Sequence, residues 1–400
     1  MSVGEATVAS RLKKQLADKK ESLEAFMEML EKGAELLAET VGEMLPIFSI
    51  VAPVVQLALD NVESKEAEFM KAQFQKVRER LEVVSEEIRR VDQEIRKSGA
   101  DAAYFSVEEN LSNQFRKFMD VLNAKPKFRE VKKEIFLEHF AKTGGDKNLH
   151  TLYGAVTGDN FSGESVLEIT LNYHEKSRRA VEEFCARLKN LFCLGLIALV
   201  GQAALKGTGE EEDVLKDWGE RMRLMEEKMK AAVEVCKAGF AEQAKLDVGK
   251  RLKEWSAETP VDLASNVAKF LNRKYDWVSW LVRAYTPTRG CFGGLARGGK
   301  DEAVCGGNHF TFEGSVRVVV SYSPNPVGLD EGGLRRLIEG QGRRTRDLEK
   351  LASRIHAGLP HCLVHVVHRR WEVAVDASSF PGDCQYCQQY RNARIYIHAE

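Results

Sequence analysis

The sequence predicts a mainly α protein. An elongated bundle of long antiparallel helices occupies residues 1–285, a Gly-rich loop follows over 286–308, and a small α+β domain spans 309–400. Three observations carry this prediction. Apolar residues recur at steps of three and four through most of the first 285 positions, the spacing of one helix face. Two blocks, Met44 to Leu59 and Leu191 to Leu205, contain no charged residue. After Tyr285 glycine becomes frequent and alternation replaces the helical period, as strands require.

The elements follow in order. Leu16, Leu23, Met27, Leu30, Ala34, Leu37, Val41 and Met44 make one face of a helix over Thr7 to Met44. Pro46 and Pro53 interrupt the first uncharged block, so the chain must bend there. Phe74, Val77, Leu81, Val84, Ile88, Val91 and Ile95 form an unbroken a/d seam, which packs on a neighbouring long helix at a shallow angle. Shorter helices are expected over Ser106 to Asn123 and Phe128 to Lys142, separated by Pro126. A third long helix starts near Ser162 or Ser165 and runs to Leu205, and a fourth covers Glu210 to Trp255. Thr259, Pro260 and Asp262 make a well-formed helix start, with a cap, a proline at the first helical position and an acid at the positive end. That helix continues to Lys274, and Trp277 to Val282 reads as helix or strand. In the tail, strands are expected over Ser315 to Ser321, Leu363 to Val367, Glu372 to Val375 and Arg394 to Ile397, with one helix over Asp330 to Ala357.

Composition narrows the function. The 400 residues carry 59 Lys+Arg against 60 Asp+Glu, and 44% are hydrophobic. That hydrophobic share excludes wholesale disorder. Balanced charge disfavours nucleic acid as a partner, because such binders show a basic excess. Charged residues interrupt the first twenty-six positions, so no secretory signal is expected. With eight cysteines in a long chain, reduced thiols in the cytoplasm are the default. Leaderless release stays open.

Little catalytic chemistry is legible. Gly294 to Asp301 approaches a phosphate-binding loop, but Asp301 replaces the Ser/Thr that holds magnesium and no strand precedes it. Cys384 and Cys387 form a lone C-x-x-C, with His361, Cys362, His365 and His368 as the nearest further zinc ligands. Two packed cysteines near a turn are the plainer reading. Neither G-x-S-x-G nor H-E-x-x-H occurs. No catalytic residue, cofactor or metal is therefore expected. Arg335, Arg336, Arg343, Arg344 and Arg346 sit among acids and read as a solvated face.

The uncharged blocks are the candidate functional residues. They comprise Leu45, Ile47, Phe48, Ile50, Val51, Val54 and Val55 in the first, and Leu191, Phe192, Leu194, Leu196, Ile197, Leu199 and Val200 in the second. Each block spans about 24 Å as a helix, short of the roughly 20 residues that cross a bilayer. One reading makes them the central core of the bundle, apolar all round. The other makes them a concealed membrane-active element, as in α-helical pore formers, with Pro46, Pro53, Gly195 and Gly201 easing its refolding.

Five stretches carry a family resemblance: Gln73 to Ile95 (QFQKVRERLEVVSEEIRRVDQEI), His139 to Val156 (HFAKTGGDKNLHTLYGAV), Arg179 to Gly201 (RAVEEFCARLKNLFCLGLIALVG), Arg317 to Asn325 (RVVVSYSPN) and Phe380 to Cys384 (FPGDC). Together they resemble the rapunzel proteins of bony fish, from about Pro46 to the end of the chain, with Gly290 to Gly307 the least similar part. The resemblance implies a helical region similar to cephalotoxin-like proteins and an association with growth and patterning of skeleton and fins. It implies no catalytic residue. Protein partners or self-association are then expected, with membrane contact as a regulated possibility.

Overall fold

The computed structural model describes residues 45–82, 86–97, 101–158, 164–286, 302–341, 347–369 and 373–399, with the single positions 10, 14 and 18. The expected first helix, Val84 of the seam, Gly294 to Asp301, Cys291, and Arg343, Arg344 and Arg346 lie outside the described residues. The chain is mainly α with a C-terminal α+β region. It divides into two compact units, Met1–Gly239 and Phe240–Glu400.

The first unit begins with α1 (Leu45–Phe48) and α2 (Val51–Leu59). Pro53 falls in the first turn of α2, where a missing N–H breaks no helical bond. Next come α3 (Lys65–Glu82), α4 (Glu86–Lys97), α5 (Asp101–Leu122), α6 (Pro126–Lys142) and α7 (Lys147–Thr157). They are followed by α8 (Val166–Tyr173), α9 (Arg178–Lys206) and α10 (Glu211–Ala238). The described seam residues Phe74, Val77, Leu81, Ile88, Val91 and Ile95 are all buried in one core. That core is organised around α9, which packs on α2, α3, α5 and α10.

The third long helix of the sequence reading is two helices. α8 opens on a capping box, in which Ser165 Oγ accepts from the Glu168 amide and the Glu168 carboxylate accepts from the Ser165 amide. It ends at His174, and Glu175 and Lys176 take left-handed φ of 49° and 58° before α9 starts. The apolar period crosses this break because α8 and α9 face the same core, so the pattern alone does not register it.

The second unit starts earlier than the expected boundary near Tyr285. The fourth long helix stops at Ala238, and Phe240–Glu254 forms a separate α11. α12 (Pro260–Lys274) follows, with Thr259 Oγ1 accepting from the Asp262 amide as its cap. Trp277 to Val282 leads into a strand, β1 (Ser279–Tyr285). The remaining elements are β2 (Glu302–Cys305), β3 (Asn308–Phe312), β4 (Arg317–Ser323), α13 (Glu331–Glu339), α14 (Leu348–Ala357), β5 (Cys362–His368), β6 (Ala374–Ser378), β7 (Gln385–Tyr390) and β8 (Ala393–Ala399). The expected loop over 286–308 thus contains β2, and the expected helix over Asp330 to Ala357 is α13 plus α14.

These strands make two antiparallel sheets, ordered β3-β4-β1-β6 and β2-β5-β8-β7. Alternation sorts their side chains into three interfaces. Trp280, Val282 and Ala284 of β1, with Val318 and Val320 of β4, bury against α11 and α12. Val364 and Val366 of β5, with Ile395 and Ile397 of β8, bury against α13 and α14. Tyr285 and Val319 of one sheet meet Val367 and Tyr396 of the other. The unit is a four-layer α-β-β-α sandwich.

Candidate functional site

The candidate apolar residues are core. Ile47, Phe48, Ile50, Val51, Val54 and Val55 are buried, and so are Leu191, Phe192, Leu194, Leu196, Ile197, Leu199 and Val200. All thirteen belong to one cluster, and α2 packs directly on α9. Leu45 is helical in its backbone, and its side chain lies outside the described ones. At about 1.5–3 kcal/mol per buried Leu, Ile, Val or Phe, exposing all thirteen to water costs on the order of 20–40 kcal/mol. Only another apolar medium offsets that. Among the described residues α9 is the one helix long and apolar enough to cross a membrane, and a buried core helix has the same properties.

The glycines of α9 act as flats for packing. An alanine Cβ at Gly195 would stand 2.5 Å from Leu149 Cδ2 and 2.9 Å from Leu111 Cδ2. At Gly201 it would stand 2.6 Å from Phe118 Cζ. The absence of side chains there brings α5 and α7 close to α9, so the loosening role expected for these residues is not what the packing uses.

Charged groups buried in this unit include Glu182 and Lys189 of α9 and Glu226 of α10, and one further cluster joins three helices. Arg187 of α9 donates to the Glu108 carboxylate of α5 and lies 4.0 Å from Asp92 of α4. Beside it Tyr104 is fully buried, and burial followed by the Glu108 charge pushes its phenol well above the usual range. Three helices are tied by one guanidinium. Burial likewise holds the Cys185 thiol up at about 12, which leaves it unreactive.

α6 has apolar residues on two faces. Phe136 and Phe140 are buried, whereas Phe128, Val131 and Ile135 are 51%, 55% and 42% exposed. Spacings of three and four place the exposed three in one stripe. The sequence holds this signal, since a bundle helix needs only one apolar face.

The second unit hides a polar layer between its sheets. Arg283, Ser321, Ser323, His365 and His398 are buried there, on strands whose alternate residues face the flanking helices. Arg283 Nη2 donates to Ser321 Oγ at 2.6 Å, and its guanidinium lies 5.7 Å from the Tyr396 ring centroid. Arg317 donates to the carboxylates of Glu302 and Glu313. His365 Nε2 is 3.6 Å from Glu302 Oε2, beyond hydrogen-bond distance. Burial first, and then the Arg283 charge, push His365 well below its ordinary pKa and His398 down to about 3. Both imidazoles are therefore neutral near pH 7. Sequence reasoning reached His365 only as a zinc ligand and did not reach Arg283. Its available signal was the strand Arg394-Ile-Tyr-Ile-His398, where polar and aliphatic residues alternate.

The C-x-x-C pair splits. Cys384 is buried and Cys387 is exposed on β7. His361 precedes β5, Cys362 faces α13 and α14, and His365 faces the opposite sheet. Among the described residues no group of three or more His, Cys, Asp or Glu is placed to hold a metal ion.

Comparison with known proteins fits this architecture. A family profile described as the cephalotoxin-like middle helical domain matches residues 60–257, from the end of α2 through α11. A zebrafish (Danio rerio) protein, Protein rapunzel, is 32% identical over 224 residues, which is 56% of this chain and 98% of the relative. No solved structure matches. The sandwich strands lie beyond the matched helical profile.

Proposed function

Because this chain belongs to the rapunzel family, we propose that it is a non-enzymatic helical protein of the cytoplasm, working through protein contacts, self-association among them. Membrane contact is the regulated variant of this reading. Growth and patterning of skeleton and fins is the setting its family resemblance implies. The observation that supports contact rather than chemistry is the exposed stripe Phe128, Val131 and Ile135 on a helix whose other apolar face is already sealed in the core. An exposed apolar row of this kind is an interaction surface more often than an accident.

The test is sedimentation velocity over a range of protein concentrations, with a crosslinked pull-down from fin tissue. Wild type should form a larger species or retain a partner. Phe128→Ser with Ile135→Ser should lose both while keeping its helical signal and melting temperature. Equal behaviour of the two proteins would sink the α6 assignment.

The second reading is an α-helical pore former, favoured by the length and apolarity of α9. Dye release from liposomes separates it. Under the contact reading the purified chain releases no dye across lipid compositions and pH, and sustained release would replace that reading with the pore former.

A further inference from the structure

β7 pairs with β8 on one side and ends its sheet on the other. The hairpin fixes which of its backbone groups are already used. The turn Arg391–Asn392 joins β7 to β8, with Arg391 at a left-handed φ of 56°. The closing pair of such a tight hairpin, here Tyr390 and Ala393, exchanges both of its hydrogen bonds. Alternation then turns the N–H and C=O groups of Tyr386, Gln388 and Tyr390 toward β8, and those of Gln385, Cys387 and Gln389 outward. Among the described residues no backbone group bonds to these three from the outer side. Cys387 and Gln389 are also exposed.

Sheet edges that stay single are blunted by lysine, proline, bulges or short length. β7 has none of these. Its six residues, QYCQQY, carry no charge and no proline, and its register with β8 is unbroken. The nearest charges along the chain are Asp383 before it and Arg391 after it, both exposed. An antiparallel copy of the same strand lays Asp383 of one chain beside Arg391 of the other. The register that does so puts Cys387 opposite Cys387 and Gln385 opposite Gln389. These are the residues whose backbone groups point outward, so each outward donor meets an acceptor. The strand is therefore complementary to itself in charge, register and hydrogen bonding, a symmetry that an unrelated partner would not need. The other edges lack it. β2 has four residues, β6 carries Asp376 within it, and β3 has Glu313 behind it with no base just ahead of it.

We propose that β7 is a self-association edge, where two copies of this chain join antiparallel strands about a two-fold axis at Cys387 and continue the β2-β5-β8-β7 sheet from one copy into the other. The pairing is isologous, so it closes at two copies. It uses a different surface from the α6 stripe and goes beyond the contact function above. The α6 stripe then adds species larger than this dimer, and losing the stripe leaves the dimer in place. The edge lies outside the helical region that the family profile matches.

The full chain carrying Phe128→Ser and Ile135→Ser isolates this contact, and sedimentation velocity in reducing buffer reads it. That protein should show a concentration-dependent monomer–dimer equilibrium. Gln389→Pro removes an outward N–H at a position where an edge strand tolerates proline, and should weaken the dimer at least tenfold. Asp383→Arg should weaken it at least tenfold as well, and adding Arg391→Asp should restore it, a recovery that a folding defect would not show. Diamide oxidation should join two chains through Cys387 to Cys387, identified by peptide mass spectrometry, because strand pairing sets their Cα atoms within disulfide range. Should Gln389→Pro fail to fold, the charge exchange supplies the comparison. A monomer at every concentration overturns the proposal. So does a dimer indifferent to whichever β7 variants fold, or an intermolecular disulfide that excludes Cys387. The α6 assignment fails separately, by wild type and the α6 variant behaving alike.

Discussion

Replacing Gly201 by alanine distinguishes close helix packing from helix loosening. The new Cβ would stand 2.6 Å from Cζ and 2.8 Å from Cδ2 of Phe118, and nearer still to Cε2. Carbon atoms pack at about 3.5–4.0 Å, so the overlap at the nearest ring atom exceeds an ångström. Phe118 has nowhere to retreat. It is buried with its ring centroid 5.7 Å from that of Phe136, which stands 5.7 Å from Phe140. Overpacking of this kind costs about 1–3 kcal/mol, and the depth of overlap with a rigid ring puts it near 3. Alanine recovers about 1 kcal/mol of helix propensity. The net loss is about 2 kcal/mol, or roughly 4–8 °C in melting temperature for a unit of this size. Urea and thermal unfolding followed at Trp218, the tryptophan of the first unit, would read it. In a Phe118→Ala background the clash disappears, and Gly201→Ala should become neutral or stabilising by about 1 kcal/mol. A Gly201→Ala protein as stable as wild type would refute the packing argument, and so would a cost that persists without the ring.

Other outcomes follow from the same structure. Gly195→Ala should cost less, about 0–1 kcal/mol net, because it meets the ends of flexible leucines; the ranking of the two melting temperatures checks it. Arg187→Met should destabilise the first unit by about 2–3 kcal/mol, less than for a fully buried pair because Glu108 and Asp92 keep some solvent. Glu108→Gln should restore part of that loss, as measured by denaturant midpoints. Thr259→Ala removes the α12 cap and should lower stability by about 1 kcal/mol. The second unit should weaken in acid. His398 has a folded pKa near 3 against about 6.5 unfolded, so the unfolded chain binds more protons between these values and stability falls as pH drops below 6.5. At pH 4.5 the loss is bounded by roughly 3 kcal/mol for this group. Glu302, whose carboxyl burial raises, acts oppositely by favouring the folded state as it protonates. His398→Gln should flatten the acid limb of the pH–stability profile, and an unchanged limb would contradict the assignment.

Local chemistry made much of the first unit legible. The described residues of the seam from Phe74 to Ile95, and most of the block from Leu191 to Leu205, are buried where their spacing places them. The proline-capped start at Thr259 forms as written. Elements went unread where their residues do not alternate or where a break preserves phase. β7 is Gln-Tyr-Cys-Gln-Gln-Tyr, an edge strand of mixed exposure with no apolar face to announce it. The Glu175–Lys176 turn keeps α8 and α9 on one core, so the period runs through it.

The sequence by itself determined that most of this chain is helix, that two blocks need burial, and that its middle is cephalotoxin-like in kind. Those properties depend on neighbours within a turn or two. Tertiary structure decided which surface covers each face. It assigned α11 and α12 to the sandwich rather than the bundle, made Gly195 and Gly201 contact points, and enclosed Arg283 between two sheets. A helical period states only that one face avoids water. What covers that face, and whether a buried charge finds a partner, depends on strands that lie tens of residues away in the chain.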